Sequence, residues 1–232
     1  MKLAGSTALV TGANRGLGRH LADQLITRGA KVYASARNPD SVDIAGAIPI
    51  ALDITDDASI QAAVEATGDV SILINNAGIF LGGSLLPAPI DEVRLEMETH
   101  FFGTLAVTRA FAPQLAAAGT SAILNVLSVM SWYTTPEMSA YSAAKSAQWS
   151  LTSALRVELA DQGTAVSALH VGYMDTDLVR AVKAPKHDPA VIAALALDGL
   201  EAGDIEIIAD DLSAQVRAGL AGGSAALYPQ FA

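Results

Sequence analysis

The stretch TGANRGLG, residues 11–18, decides the fold of this chain. Its glycines are spaced GxxxGxG and join an apolar run, ALVT at 8–11, to a helical pattern, GLGRHLADQLITR at 16–28. Glycines in such a loop permit a tight turn and let main-chain N–H groups approach a pyrophosphate at the positive end of the helix. The loop therefore predicts a dinucleotide site, and Arg19 after the last glycine does not fit the pattern of a P-loop nucleotidase. The positions that it supplies are Gly12, Asn14, Arg15, Gly16, Leu17 and Gly18.

Composition and charge indicate one globular domain over residues 1–232. Hydrophobic residues make up 51% of the chain and charged residues 16%, which suits neither disorder nor a coiled coil. The formal net charge is -10 and the basic residues form no run, which argues against a nucleic-acid partner. There is no cysteine and the four histidines have no ligand spacing, so we expect no metal. We see no signal peptide or spanning segment, which predicts a cytoplasmic protein without a membrane partner.

Short apolar runs alternate with helical patterns along the rest of the chain. Runs that are apolar on both faces and alternate with helices are typical of a parallel sheet covered on both sides. The sequence therefore predicts a Rossmann-type, doubly wound α/β fold of about seven strands. Further strands are expected at 31–36, 49–54, 71–75, 122–128, 165–171 and 204–209, and further helices near 57–66, 90–117, 137–161 and 210–220. A short substrate lid is expected at about 177–203.

The unusual polar clusters fall where the predicted strands end. The turns there read GANRGLG, RNPD, DITD, NNAG, SVMSW and GYMDTD. In open α/β sheets the ligand crevice lies beyond the carboxyl ends of the strands. The site is therefore expected at that edge of the sheet.

The end of the second predicted strand favours NADP(H) over NAD(H). An acidic residue at this place accepts hydrogen bonds from the ribose 2′-OH, but the strand ends with Ala36 and Arg37. The Arg37 guanidinium, together with Arg15, offers a planar fork to a 2′-phosphate, the alternative being two solvated arginines. Asp53, followed by Ile54, is placed to accept from the adenine amino group or else to cap a helix.

The stretch YSAAK at 141–145 separates a tyrosine from a lysine by one helical turn. Such pairs are also common on ordinary helix surfaces. A cation held close to a phenol can lower its pKa by about 1 to 3. Because a dinucleotide loop lies upstream in the same chain, the spacing predicts that Lys145 makes Tyr141 a competent acid.

Taken together, these motifs resemble those of the short-chain dehydrogenase/reductase family. The resemblance covers about residues 3–177 and rests on TGANRGLG, DITD, NNAG, Ser128, YSAAK and VGYMDT. It implies that Tyr141 protonates a carbonyl oxygen or deprotonates an alcohol, and that Lys145 also binds the nicotinamide ribose. Ser128 would hold the substrate oxygen; Ser131 competes for that role, but Ser128 lies thirteen residues before Tyr141, as the resemblance requires. The implied wall of the cofactor site comprises Asn76, Ala77, Gly78, Gly172, Met174 and Thr176.

Two positions depart from the family pattern. The family usually has an asparagine in an NxxG stretch, where it helps to hold a water that relays protons to the lysine, but this chain reads THFFG and places His100 there. An imidazole can both donate and accept, so we predict a relay role for His100, with a packed histidine as the alternative. The family usually has Pro-Gly after the sixth strand, whereas this chain has Val171-Gly172. The loop therefore lacks the fixed φ angle of a proline.

Apolar and aromatic residues near the predicted catalytic group indicate the substrate class. We expect a pocket next to Ser128 and Tyr141 lined by Trp132, Tyr133, Met138, Tyr173 and Met174. Such a lining suits a hydrophobic or aromatic ketone or aldehyde, which we predict is reduced with NADPH to an alcohol by a homodimer or homotetramer. One alternative is a non-catalytic NADP(H) sensor, which has no use for a proton donor. An epimerase or dehydratase is another, but such enzymes generally bring an additional C-terminal domain.

Overall fold

The computed structural model describes residues 1–180 and 182–231 and shows a seven-stranded parallel sheet in the order β3-β2-β1-β4-β5-β6-β7. This confirms the predicted doubly wound, Rossmann-type α/β fold. The strands are β1 (Thr7–Val10), β2 (Lys31–Ala36), β3 (Ile48–Ala51), β4 (Ile72–Asn75), β5 (Ser121–Val126), β6 (Thr164–His170) and β7 (Glu206–Ile208).

Helices cover both faces of this sheet because its central strands are apolar on both sides. In β1, Ala8 and Val10 pack into one core and Leu9 packs into the other. The first core also contains residues of α1 and α6, and the second contains residues of α2, α4 and α5. The helices are α1 (Gly16–Thr27), α2 (Asp57–Thr67), α3 (Ile90–Met97), α4 (Thr104–Ala117), α5 (Ser139–Glu158), α6 (Pro189–Ala202), α7 (Asp211–Gly219) and α8 (Ser224–Leu227).

The predicted helix over 90–117 is interrupted by a π-helical segment, Glu98–Gly103, between α3 and α4. Gly103, at the end of this segment, packs so close to the loop after β3 that an added Cβ would lie 2.9 Å from the main-chain oxygen of Ile54. Such π-helical turns are frequent at functional sites. Here the segment contains His100.

The predicted lid segment, 177–203, includes the whole of α6. This helix buries Ile192, Ala196 and Leu197 in the core that it shares with α1, so it belongs to the body of the domain. The part of the segment that reaches the crevice is Asp177–Val179, a single 3-10 turn. Within the described ranges, no helix is long and apolar enough to cross a membrane.

Candidate active site

One large cavity of about 720 Å³ lies beyond the carboxyl ends of the strands, where the sequence places it. The loops after β1, β2, β4, β5 and β6 all contribute to its walls. All but two of the predicted site residues line it: Gly12, Asn14, Arg15, Gly16, Leu17, Arg37, Asp53, Ile54, Asn76, Ala77, Gly78, His100, Ser128, Tyr133, Met138, Tyr141, Lys145, Gly172, Tyr173, Met174 and Thr176. The exceptions are Gly18 and Trp132.

The glycine loop is shaped by a positive φ and by close approach of main chains. Gly12 has φ 65, and a Cβ on it would lie 3.0 Å from Cα of Ala77. A Cβ on Gly18 would lie 2.3 Å from the main-chain oxygen of Gly12 and 2.4 Å from Nδ2 of Asn76. Gly18 was predicted to contact the cofactor, but it is buried under the loop and does not line the cavity. Its role is to let α1 pack against the loop.

Hydrogen bonds join the glycine loop to the NNAG turn after β4. The Asn76 side chain donates to the main-chain oxygens of Thr11 at 2.8 Å and Gly12 at 3.1 Å. In return, Oγ1 of Thr11 accepts from the main-chain N–H groups of Asn76 and Ala77, both at 2.9 Å. The two turns therefore form one rigid unit at the N-terminus of α1.

Two exposed arginines lie at the end of the cavity that borders the carboxyl end of β2. Arg15 precedes α1 and Arg37 follows β2, and within the described ranges neither forms an ion pair with an acidic side chain. Their guanidinium groups are therefore available to a ligand. Asp53 accepts two hydrogen bonds from Thr55, at 3.0 and 2.7 Å. Partial burial would raise the pKa of Asp53, but these bonds and the charge of Arg37 bring it below its ordinary value.

Ser128 and Tyr141 meet at the other end of the cavity. Ser128 stands two residues after β5, and its Oγ accepts from the main-chain N–H of Met130 at 3.2 Å. Tyr141 lies in the first turn of α5 and lines the same cavity, with Ser128 close enough to lower the pKa of its phenol. Ser131, the competing serine, donates to the carbonyl of Ser128, lies near His170 and does not line the cavity. The geometry therefore favours Ser128.

Lys145 is buried and directed toward main chain and amide groups. Its Nζ donates to the main-chain oxygen of Val126 at 2.8 Å and to Oε1 of Gln148 at 2.9 Å, and lies 5.7 Å from the centre of the Tyr141 ring. Burial lowers the pKa of Lys145 to about 7, against the opposing charge of Glu96.

The expected lowering of the Tyr141 pKa does not occur in this structure. Burial raises the pKa of the phenol, Glu96 and Tyr173 add to that effect, and the nearby Ser128 hydroxyl opposes it. The prediction was wrong because it assumed a solvated phenol beside a fully charged ammonium, whereas both groups are desolvated. The result is a phenol that keeps its proton at neutral pH.

His100 faces the same end of the cavity from the π-helical segment. Its ring meets that of Tyr141 edge to face, with centroids 5.3 Å apart. Nε2 lies 2.9 Å from the main-chain oxygen of Ile79 and 3.3 Å from Oε2 of Glu96. Burial, with the nearby Lys145 charge, lowers the pKa of His100. No hydrogen bond joins His100 to Lys145 within the described part of the chain, so the predicted relay has no direct contact between the two side chains.

Trp132 was predicted to line the substrate pocket but lies outside it. The 3-10 turn Val129–Ser131 directs the indole behind the crevice, where it stacks on His170 with ring centroids 3.7 Å apart and meets Trp149 edge to face. The pocket wall instead includes residues that the sequence patterns did not single out, namely Phe80, Leu95, Met130, Leu178, Val179 and Leu212. Their side chains come from segments far apart in sequence, so no local pattern marks them.

Comparison with known proteins agrees with this geometry. The model of the family described as short chain dehydrogenase matches residues 6–187. A dehydrogenase/reductase SDR family protein 7-like from Anopheles gambiae is 33% identical over 76% of this chain, which spans 61% of that protein. The 3-oxoacyl-[acyl-carrier-protein] reductase FabG of Salmonella typhimurium is 32% identical over 78% of this chain and 79% of its own length.

A solved structure matches nearly the whole fold. A short chain dehydrogenase from Burkholderia cenocepacia, crystallised in complex with NADP, is 35% identical with a TM-score of 0.95, covering 99% of this chain and 98% of that one. The family match, the parallel sheet and the Ser128, Tyr141 and Lys145 cluster at its carboxyl edge lead to one assignment. The chain belongs to the short-chain dehydrogenase/reductase family of oxidoreductases.

Proposed function

We propose that the protein reduces a hydrophobic or aromatic ketone or aldehyde to an alcohol with NADPH, and catalyses the reverse oxidation. The observation that carries this proposal is that Ser128, Tyr141 and Lys145 line the same apolar end of the cavity, with Nζ of Lys145 5.7 Å from the centre of the Tyr141 ring. A carbonyl oxygen placed between the Ser128 and Tyr141 hydroxyls receives two donors as negative charge develops on it.

The residues present fit a nicotinamide dinucleotide. The loop from Gly12 to Leu17 gives a pyrophosphate access to the N-terminus of α1, since a side chain at Gly12 would meet the backbone at Ala77. Ala77 and Gly78, which line the cavity, would form the wall beside the nicotinamide ribose, and Thr176 would bind the carboxamide. Bound NADPH would supply the hydride to the carbonyl carbon.

The protein's own groups handle the oxygen and its proton. Ser128 holds the carbonyl oxygen by a hydrogen bond, and Tyr141 donates its phenolic proton as the alkoxide forms. The raised pKa of Tyr141 keeps that proton in place at neutral pH until charge develops on the substrate. Lys145, held by Val126 and Gln148, provides the positive charge that stabilises the resulting phenolate.

The two arginines support NADP(H) rather than NAD(H). A 2′-phosphate beside Ala36 would meet Arg15 and Arg37, which line the cavity and form no ion pair with an acidic side chain in the described ranges. A charge-assisted contact with a phosphate is about twice as strong as a neutral hydrogen bond. The relative from Burkholderia cenocepacia, crystallised with NADP, adds support for this choice.

The substrate end of the cavity favours an uncharged, apolar compound. Its wall combines Phe80, Met130, Tyr133, Met138 and Tyr173. Among the described residues that line this end, Lys145 is the one cation, and it is already engaged by Val126 and Gln148. A carboxylate on the substrate would therefore find no free partner there.

We further propose a homodimer through the outer side of the π-helical segment and α4. Phe102 is 49% exposed there and, with Leu105, Ala106 and Arg109, borders a shallow groove. The groove also contains the charged residues Asp57 and Glu98, and an exposed apolar side chain surrounded by polar residues favours a contact between subunits. Light scattering after size-exclusion chromatography tests this proposal, and a monomer at micromolar concentration would overturn it.

A turnover assay tests the proposed reaction. Purified protein is mixed with NADPH or NADH and a panel of apolar ketones, aldehydes and their carboxylated analogues, and the nicotinamide absorbance is followed. We expect consumption of NADPH with apolar carbonyls, slower consumption of NADH, and little with the carboxylated compounds. If no carbonyl in the panel is reduced while NADPH binds tightly, the proposal of a carbonyl reductase fails.

A further inference from the structure

Glu96 is a buried carboxylate for which the proposed reaction has no role. Its side chain is 0% exposed at the end of α3, beneath the catalytic end of the cavity. Oε1 accepts a hydrogen bond from the main-chain N–H of Leu81 at 2.8 Å. Oε2 lies 3.3 Å from Nε2 of His100, four residues along the chain, but has no hydrogen-bond partner among the described residues. A carboxylate buried this completely needs a positive or proton-donating partner.

The surroundings of His100 determine which ring nitrogen carries the proton. Nε2 has two acceptors beside it, the main-chain oxygen of Ile79 at 2.9 Å and Oε2 of Glu96 at 3.3 Å. A neutral imidazole placed between two acceptors has its proton on that nitrogen. The other nitrogen, Nδ1, is therefore a hydrogen-bond acceptor.

Nδ1 of His100 faces the cofactor wall of the cavity. It is buried and has no hydrogen-bond partner among the described residues. A Cβ added to Gly78 would lie 3.4 Å from Nδ1 and 2.7 Å from the neighbouring Cε1, so the imidazole edge borders the ribose wall. Both residues line the cavity. A buried acceptor without a protein partner at this place points to a hydrogen bond from a water or a ligand hydroxyl.

We propose that Glu96 is a positioning residue of the active site: its carboxylate beside Nε2 favours the Nε2–H tautomer of His100 and so leaves Nδ1 as an acceptor toward the cavity. This inference rests on the proposed reduction. In this arrangement Glu96 supplies a negative charge beneath the catalytic end of the cavity.

The charges around the pair agree with this assignment. The titratable groups that face it are Tyr141 and Lys145 from α5, with Tyr173 beyond Tyr141. Burial lowers the pKa of Lys145 to about 7, and Glu96 is the charge that opposes this effect. Burial and the charge of Lys145 together lower the pKa of His100, which favours a neutral imidazole.

The tautomer is tested first, on the wild-type protein and without any assay of activity. Two-bond ¹H–¹⁵N correlation spectra at pH 7.5 report which nitrogen of each neutral histidine carries the proton, and His100→Asn identifies the signal of His100 by its loss. We expect a proton on Nε2 of His100. A proton on Nδ1, or a ring that is fully protonated at this pH, overturns the proposal.

The charge of Glu96 is tested by Glu96→Gln. This change preserves the volume of the side chain and an oxygen for the N–H of Leu81, and Glu92→Gln, on an exposed residue of the same helix, is the matched control. We expect the basic limb of the pH profile of kcat/KM to move to lower pH by about 1, because an opposite charge near a cation raises its pKa by about that amount or more. The control should keep the wild-type profile.

The outcomes separate this inference from the proposed function. Superimposable pH profiles for Glu96→Gln and the wild type would overturn the role of the charge, although the enzyme is active. Should no carbonyl substrate be reduced at all, the proposed function fails, and the tautomer measurement still decides the arrangement of Glu96 and His100. It also decides that arrangement if Glu96→Gln does not fold.

Discussion

The Nζ atom of Lys145 donates a hydrogen bond of 2.8 Å to the main-chain oxygen of Val126, the last residue of β5. Ser128 follows two residues later, so the lysine connects the helix of Tyr141 to the strand end of Ser128. The connection continues through Gln148, whose Nε2 donates to Oγ1 of Thr104 on α4 at 2.9 Å. The relative position of the two catalytic hydroxyls is thus fixed by a buried amine and not by the tyrosine helix alone.

The buried amine predicts an unusual dependence of stability on pH. The pKa of Lys145 is about 7 in the folded protein and about 10.4 in an unfolded chain, so between these values the unfolded state binds more protons. The free energy of unfolding therefore rises with pH in this window. Methionine does not titrate, so Lys145→Met lacks this effect. Relative to that variant, the free energy of unfolding of the wild type should rise by up to about 1.4 kcal/mol for each increase of one in pH.

Thermal unfolding at pH 6.5 and pH 9 measures that difference. We expect the Tm of the wild type minus that of Lys145→Met to be larger at pH 9. Equal differences at the two pH values would mean that Lys145 has an ordinary pKa in the folded protein.

Selectivity for the 2′-phosphate is expected to depend on Arg37. A hydrogen bond to a charged group contributes about 1.5–3 kcal/mol, so Arg37→Ala should raise the Kd of NADPH by about 10- to 100-fold. The Kd of NADH should change by less than about 3-fold, because NADH has a hydroxyl and no phosphate at the 2′ position. Fluorescence titration measures both constants.

Arg19→Ala serves as the matched control for that variant. Arg19 is exposed on α1 and does not line the cavity. Equal loss of NADPH and NADH binding in Arg37→Ala, or an equal effect of the control, would contradict the assignment of the phosphate site.

Adjacent aromatic residues should behave differently toward the substrate. Tyr133 lines the cavity, whereas Trp132 stacks on His170 behind it. Removing apolar wall from a pocket lowers affinity by about 1–3 kcal/mol, so Tyr133→Ala should raise the KM of a bulky apolar ketone about tenfold or more. Trp132→Phe, which preserves an aromatic ring on His170, should lower Tm and leave that KM within about twofold. A larger change in KM for Trp132→Phe would mean that Trp132 does contact the substrate.

The sequence predicts those features that depend on local pattern. All seven strands were located, because each is an apolar run bounded by turn residues, and the rule for strand ends correctly brings Gly12, Asn76 and Ser128 to one edge. The direction of Trp132 was not predictable, because it depends on a 3-10 turn after β5 and on a histidine 38 residues later in the chain. The pKa of Tyr141 depends on burial by residues of several elements, which spacing alone does not reveal.

The burial of Glu96 is another feature that could not be predicted from the sequence. In sequence it is one of several acidic residues in a polar helix, DEVRLEME, and nothing marks it as buried. The π-helical segment after it and the packing of α3 on α5 place its carboxylate beneath His100. A spacing of four residues between Glu96 and His100 was the available signal, and it is shared by many solvated pairs.

The most direct test of the account is the effect of Tyr141→Phe on hydride transfer. The variant retains the ring that packs edge to face on Phe80 and His100 and removes the proton donor. Tyr33→Phe, whose hydroxyl binds Asp69 at 3.0 Å far from the cavity, is the control for loss of a tyrosine hydroxyl. In a single-turnover reduction of the preferred ketone, we expect Tyr141→Phe to slow the oxidation of NADPH by about 10²- to 10⁴-fold with an unchanged Kd for NADPH. Reduction at the wild-type rate by Tyr141→Phe would contradict the account.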